Sequence, residues 1–80
     1  MYYLYILKSV NSPKSYVGIT DNLERRLEQH NQGNSFYTKR YAPWLIIHNE
    51  KYKNRDEARK REKYLKTAVG RKFLKQIFEN

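Results

Sequence analysis

The sequence predicts a small α+β domain, a three-stranded and mainly antiparallel sheet flanked by helices in the order β-β-α-β-α-α. Three observations support this fold class. Two strand-like segments joined by a turn open the chain. After them come a segment with helical periodicity, one apolar run and two more helical segments. A length of 80 residues leaves room for one modest core. We therefore expect a single domain over residues 1–80.

The first two strands are expected to form a hairpin. Residues 2–8, YYLYILK, are aromatic and aliphatic without a breaker, as in a mostly buried strand. A turn cluster containing Pro13 follows, and residues 15–20 have the pattern of a second strand. Gly18 inside that strand indicates weak packing or the close approach of another backbone.

The next segment predicts an amphipathic helix over about residues 23–32. Asp21 or Asn22 can cap its start, and Gly33 is a suitable residue to end it. Residues 33–43, GNSFYTKRYAP, are expected to form a loop that mixes aromatic and basic side chains.

The second half of the chain predicts one strand and two helices. Residues 44–48, WLIIH, form a continuous apolar run, which favours a third strand covered on both faces. Asn54 can cap a helix that runs to about Ala68, and Gly70 is expected to break it. A last short helix over 71–79 should pack on the core. Its apolar residues are Phe73, Leu74, Ile77 and Phe78.

Charge is the strongest global signal. The chain carries 17 Lys and Arg against 8 Asp and Glu, a net charge of +9, and a small fold with this imbalance favours a polyanionic partner such as nucleic acid. The absence of cysteine excludes disulfides and thiolate metal clusters. No apolar segment approaches membrane-spanning length, so we expect a cytoplasmic protein that does not interact with membranes.

Polar residues occupy apolar helix faces at three positions. Arg26 and His30 fall on the same stripe as Leu23 and Leu27, and Glu62 lies within the apolar stripe of the second long helix. Each position also has a purely structural explanation: a snorkelling arginine, a histidine at a helix end, and charge pairing within one helix. Their joint occurrence favours a common polar site.

Four sequence segments carry a resemblance to a known family. They are YLY at 3–5, YVG at 16–18, ERRLEQHNQG at 24–33 and EARKREKYLK at 57–66. In this spacing they resemble the GIY-YIG nuclease domain over nearly the whole chain. The small standalone, YhbQ-like members are most similar, and they are related to the N-terminal nuclease domain of the excision-repair protein UvrC. The first motif departs from its namesake at its first two positions but keeps the tyrosine.

The resemblance implies a role for each of five side chains. Tyr5 and Tyr16 would place and deprotonate a water molecule, with Tyr5 preferred as the base and Tyr16 as its partner. Arg26 would bind the phosphate, and His30, which in some members aids the base, would also face it. Glu62 would anchor a single Mg²⁺ or Mn²⁺ that binds weakly without substrate.

The implied activity is metal-dependent, structure-selective hydrolysis of DNA linked to repair or recombination. Branched, flapped or single-stranded regions would be the substrates, and a protein partner could supply the selectivity that a short chain lacks. Residues expected to contact nucleic acid are Tyr37, Thr38, Lys39, Arg40, Tyr41 and Lys63. Two alternatives stay open: a catalytically inactive nucleic-acid-binding module with the same fold, and a small basic RNA-binding or ribosome-associated protein.

Overall fold

The computed structural model describes residues 1–34 and 36–79. It contains strands β1 (Tyr2–Ser9), β2 (Ser15–Thr20) and β3 (Trp44–Tyr52). The helices are α1 (Leu23–Asn31), α2 (Phe36–Lys39), α3 (Arg55–Leu65) and α4 (Ala68–Glu79). The α+β class and the three-stranded antiparallel sheet are confirmed, and the observed order is β-β-α-α-β-α-α. Among the described residues, no helix is long and apolar enough to cross a membrane.

The central strand divides the core into two clusters. β1 pairs antiparallel with both β2 and β3, so the sheet order is β2-β1-β3. Leu4 and Ile6 face α3 and α4, where they pack with Leu65. Tyr5 and Leu7 face the other side, where they pack with the residues of α1 and β3. Four consecutive residues of β1 are therefore buried, as the uninterrupted run predicted.

The third strand differs from its prediction. β3 extends to Tyr52 and lies at the edge of the sheet, with burial that alternates along its length. Leu45 and Ile47 are 58% and 36% exposed, so the expectation of a strand covered on both faces is wrong. The cause is the sheet order, because β3 is an edge strand, whereas β1 lies in the centre between the two core clusters.

The starts of α1 and α3 agree with their predictions, whereas α3 ends earlier than expected and α4 begins earlier, at Ala68. The side chain of Asn22 caps α1 and that of Asn54 caps α3. The predicted 33–43 loop contains the short helix α2. Gly70 does not break a helix but lies in the first turn of α4, where a Cβ would collide with the backbone of Tyr64 at the end of α3. The four apolar residues expected on the last helix do pack on the core.

Candidate active site

Two tyrosines lie next to each other on one face of the β1–β2 hairpin. The Tyr5 and Tyr16 ring centroids are 6.2 Å apart. Tyr5 pairs across the strands with Gly18, and a Cβ at Gly18 would lie 2.5 Å from the Tyr5 hydroxyl oxygen. Gly18 is therefore required by a side chain, the Tyr5 ring, whereas the sequence had suggested either weak packing or the close approach of another backbone.

Helix α1 brings Arg26 and His30 to the Tyr5 hydroxyl. Arg26 Nε donates to Tyr5 Oη at 3.2 Å, and His30 Nε2 lies 2.9 Å from the same oxygen. The two residues are one helical turn apart, and Leu23 and Leu27 pack beside them against the cluster that contains Tyr5. The shared stripe thus has a structural reason: this helix face contacts both the apolar cluster and the tyrosine hydroxyl.

His30 lies in the protein interior beside Tyr5 and Tyr16 and is not open to solvent. Its side chain is fully buried, and its Nδ1 lies 2.7 Å from Thr38 Oγ1. The expectation that His30 points at a substrate phosphate is therefore wrong. Burial, with the charge of Arg26, lowers the pKa of His30 to about 4, so the imidazole is neutral near pH 7. In the tautomer protonated at Nδ1, Nε2 can accept the Tyr5 proton while Nδ1 donates to Thr38.

Burial dominates the acidity of the Tyr5 hydroxyl. It raises the pKa of Tyr5 to about 12, although the hydrogen bond and charge of Arg26 lower it. Electrostatic interactions with Tyr16 and Glu62 raise the pKa of Tyr5 further. A single guanidinium therefore does not offset the loss of solvent around the Tyr5 hydroxyl.

Glu62 lies on α3 (Arg55–Leu65) and is partly buried. Its carboxylate interacts electrostatically with Tyr5, and its side chain is 18% exposed. Lys66 Nζ lies 3.4 Å from Glu62 Oε2. No group of three His, Cys, Asp or Glu that could hold a metal lies within residues 1–34 and 36–79. A single carboxylate fits a hard divalent cation that keeps its water ligands and accepts further oxygens from a substrate.

Comparison with known proteins identifies the family. The family model for the GIY-YIG catalytic domain matches residues 1–75. The chain belongs to the GIY-YIG family. A UPF0213 protein of Clostridium perfringens is 37% identical over 78 residues, which cover 96% of this chain and 83% of that protein. One from Staphylococcus haemolyticus is 35% identical over 79 residues, covering 98% and 95%.

A solved structure shares the fold of this GIY-YIG domain. The solution NMR structure of a UPF0213 protein from Bacillus halodurans superimposes with a TM-score of 0.54 and covers 95% of this chain and 83% of that one. Its sequence identity of 24% makes this a likeness of fold alone.

A network that the sequence interpretation missed holds α3, and therefore Glu62, against the sheet. Arg61 donates to both oxygens of Glu50 on β3, at 2.9 and 3.2 Å. His48 and Tyr52, two residues to either side on the same face of β3, also bind this carboxylate. Burial opposes ionisation, but these hydrogen bonds lower the pKa of Glu50 to about 2. The period-two spacing of His48, Glu50 and Tyr52 was the available signal.

Of the residues predicted to contact nucleic acid, one is buried and the others are at least partly exposed. Thr38 is fully buried, contacts His30, and its carbonyl accepts from Trp44 Nε1 at 2.8 Å, so the expectation that it donates to a phosphate is wrong. Tyr37 is 42% exposed and stacks near Tyr16, with centroids 6.1 Å apart. Tyr41 packs beside Tyr37 and is half-buried. The basic side chains are exposed, on and just after α2 and on α3. They are Lys39, Arg40 and Lys63.

Proposed function

We propose that this protein is a divalent-metal-dependent endonuclease that hydrolyses DNA phosphodiester bonds. The observation that carries the proposal is the Tyr5 hydroxyl, which binds both Arg26 and His30, lies beside Tyr16 and interacts electrostatically with Glu62. A fold alone does not require an arginine, a histidine and a carboxylate to act on one hydroxyl, whereas phosphodiester hydrolysis does need a base and positive charge together.

Arg26 is the proposed phosphate-binding residue. It uses Nε for Tyr5 and Nη1 for Gln29 Oε1, at 3.2 and 3.1 Å. These bonds fix the plane of the guanidinium, and its five N–H groups exceed the two donors used here. The remaining donors suit the non-bridging oxygens of a phosphate, with the two-pronged geometry that lysine lacks.

Tyr5 is the proposed general base and Tyr16 the group that positions the water. With a pKa of about 12, Tyr5 is neutral near pH 7, so its activation needs positive charge beyond that of Arg26. Glu62 would hold a divalent cation, which would supply that charge and Lewis acidity at the leaving oxygen. His30 is a positioning residue in this scheme, because its neutral, buried ring binds the Tyr5 hydroxyl and orients it.

The wider biological role is also part of the proposal. Cleavage is expected to be selective for branched, flapped or single-stranded DNA and to serve repair or recombination, with a functional kinship to UvrC-type and YhbQ-like nucleases. Lys39, Arg40 and Lys63 would add salt-sensitive affinity for the DNA backbone. The cysteine-free sequence favours a cytoplasmic location.

A catalytically inactive nucleic-acid-binding module is the second candidate. The raised pKa of Tyr5 favours it, since a buried neutral tyrosine is a poor base. The two functions share the fold and the basic surface but differ in whether a cation at Glu62 produces turnover.

A cleavage assay separates the two candidates. Pure protein is incubated with labelled flaps, forks, junctions and single strands in Mg²⁺ or Mn²⁺, beside Glu62→Ala and Tyr5→Phe. Glu57→Ala is the matched control, because Glu57 is an exposed carboxylate in the first turn of the same helix. We expect metal-dependent cleavage by the wild type and the control and none by the two site variants. Binding without cleavage by the wild type would support the inactive module.

A further inference from the structure

An open groove lies beside the tyrosine pair, between the edge strand β2 and helix α4. It has a volume of about 380 Å³. The aliphatic side chains that line it, called its apolar floor below, are Val17, Leu65 and Leu74, and the aromatic residues Tyr16 and Tyr37 line it as well. Tyr16 therefore belongs both to the candidate active site and to this groove, which makes the two surfaces continuous.

Positive charge lines the groove. Lys66 and Arg71 border it, and Lys75 borders its extension along α4. Lys66 pairs with Glu62 and Lys75 with Glu79. The Arg71 side chain has no hydrogen-bonding or ion-pair partner within the part of the chain that the structure describes. An apolar floor beside an unpaired guanidinium suits a ligand that has both a flat apolar face and an anionic group.

An aromatic ring is available for stacking at the same place. Tyr37 is 42% exposed and is tilted by 32° from the Tyr16 ring, with centroids 6.1 Å apart. Its hydroxyl donates to the Ser15 carbonyl on β2 at 3.4 Å, which holds the ring beside the groove. An unpaired nucleobase can stack on such a ring, whereas the bases of a duplex are already stacked on each other.

We propose that this groove binds unpaired nucleotides of a single-stranded DNA segment next to the phosphate that is cleaved. Arg71 binds a backbone phosphate, and Tyr37, with the apolar floor, binds the face of a base. The proposal rests on the proposed nuclease function and adds where the unpaired nucleotides bind: at least one nucleotide beside the cleavage point is unpaired and lies in this groove. Net charge of +9 favours this anionic occupant over a peptide.

The test measures binding with a chelator present, so that it does not depend on cleavage. Fluorescence anisotropy compares a labelled oligothymidine with a hairpin duplex of similar length, for the wild type, Arg71→Ala, Tyr37→Ala and Lys72→Ala. Lys72 is the matched control because it is adjacent, exposed and cationic but does not line the groove. Thermal unfolding confirms that each variant is folded.

We expect Arg71→Ala and Tyr37→Ala to weaken single-strand binding by about tenfold and duplex binding by about twofold or less. Lys72→Ala should change both by about twofold or less. A photoreactive thymidine in the oligonucleotide should crosslink to Tyr37 or Tyr16.

Three results would overturn the groove proposal. They are equal effects of Arg71→Ala and Lys72→Ala, equal losses for single strand and duplex, and no measurable single-strand binding by the wild type. The last result would indicate that the groove binds a peptide instead of nucleic acid. Selective single-strand binding without cleavage in any metal would contradict the nuclease function and support the groove proposal. Cleavage by the wild type, with equal single-strand binding by Arg71→Ala and Lys72→Ala, would support the nuclease function and contradict the groove proposal.

Discussion

Replacing Gly18 with alanine tests the packing of the candidate active site without changing any polar group. The new Cβ would lie 2.5 Å from the Tyr5 hydroxyl oxygen and 2.7 Å from Cζ. Tyr5 is 2% exposed, and its hydroxyl is bound by Arg26 and His30, so its ring cannot simply turn into solvent. The substitution therefore forces the ring to move away from the two groups that orient it.

The size of the effect follows from the distances. An ordinary carbon–oxygen contact is about 3.4 Å, so the Tyr5 hydroxyl must shift by about 0.9 Å. A shift of that size is enough to break the 2.9 Å contact with His30 Nε2. Overpacking of this kind costs about 1–3 kcal/mol of folding free energy, and an active-site displacement of about 1 Å lowers turnover by about 100-fold.

Urea unfolding and cleavage kinetics of Gly18→Ala measure both quantities. The matched control is the same substitution in a Tyr5→Val background, where the Tyr5 ring is absent and the new Cβ would meet only Tyr16 Cε2, at 3.0 Å, among the three nearest atoms. We expect Gly18→Ala to destabilise the wild type by about 1–3 kcal/mol but to have little effect on the Tyr5→Val protein, so that the two substitutions are strongly non-additive. Wild-type stability and wild-type cleavage in Gly18→Ala would refute the packing argument.

Two further predictions concern the charges around the site. The folded-state pKa of Glu50 lies below its ordinary value, so its contribution to stability is complete above about pH 5 and is lost as pH falls towards 2. Over that range, urea unfolding should show the wild type losing up to about 3 kcal/mol more stability than Glu50→Gln. The reason is that protonation of Glu50 weakens its bonds to Arg61, whereas glutamine does not titrate. Parallel pH profiles for the two proteins would contradict this assignment. Arg26→Ala should abolish turnover and leave the thermal unfolding transition cooperative, since the guanidinium is partly exposed and lies outside the apolar clusters; cleavage at the wild-type rate would remove Arg26 from the site.

Local pattern was sufficient for most of the fold. The breaker-free run of β1 predicted a buried strand because the central strand of a sheet is covered on both faces. Asn22 and Asn54 marked two helix starts because an amide side chain can satisfy free N–H groups of a first turn. The resemblance in motif spacing led to the GIY-YIG family, to which the match over residues 1–75 assigns the chain.

Patterns failed where burial depends on what another element covers. β3 has an apolar run like that of β1, yet Leu45 is 58% exposed because its strand lies at the sheet edge. Gly70 looked like a helix breaker, but it allows α4 to approach the backbone of α3. In both cases, the deciding neighbour lies in an element whose position the local sequence does not encode.

By itself, the sequence determined the positions of the three strands, the starts of α1 and α3, the net charge of +9 and the set of polar residues on apolar helix faces. Only the tertiary structure decided what those polar residues contact: His30 is buried against Tyr5 and Thr38, and Arg26 donates to the Tyr5 hydroxyl. The physical reason is that periodicity specifies which side of a helix or strand turns inward. Whether a polar group turned inward meets a partner, solvent or a substrate depends on where the other elements pack.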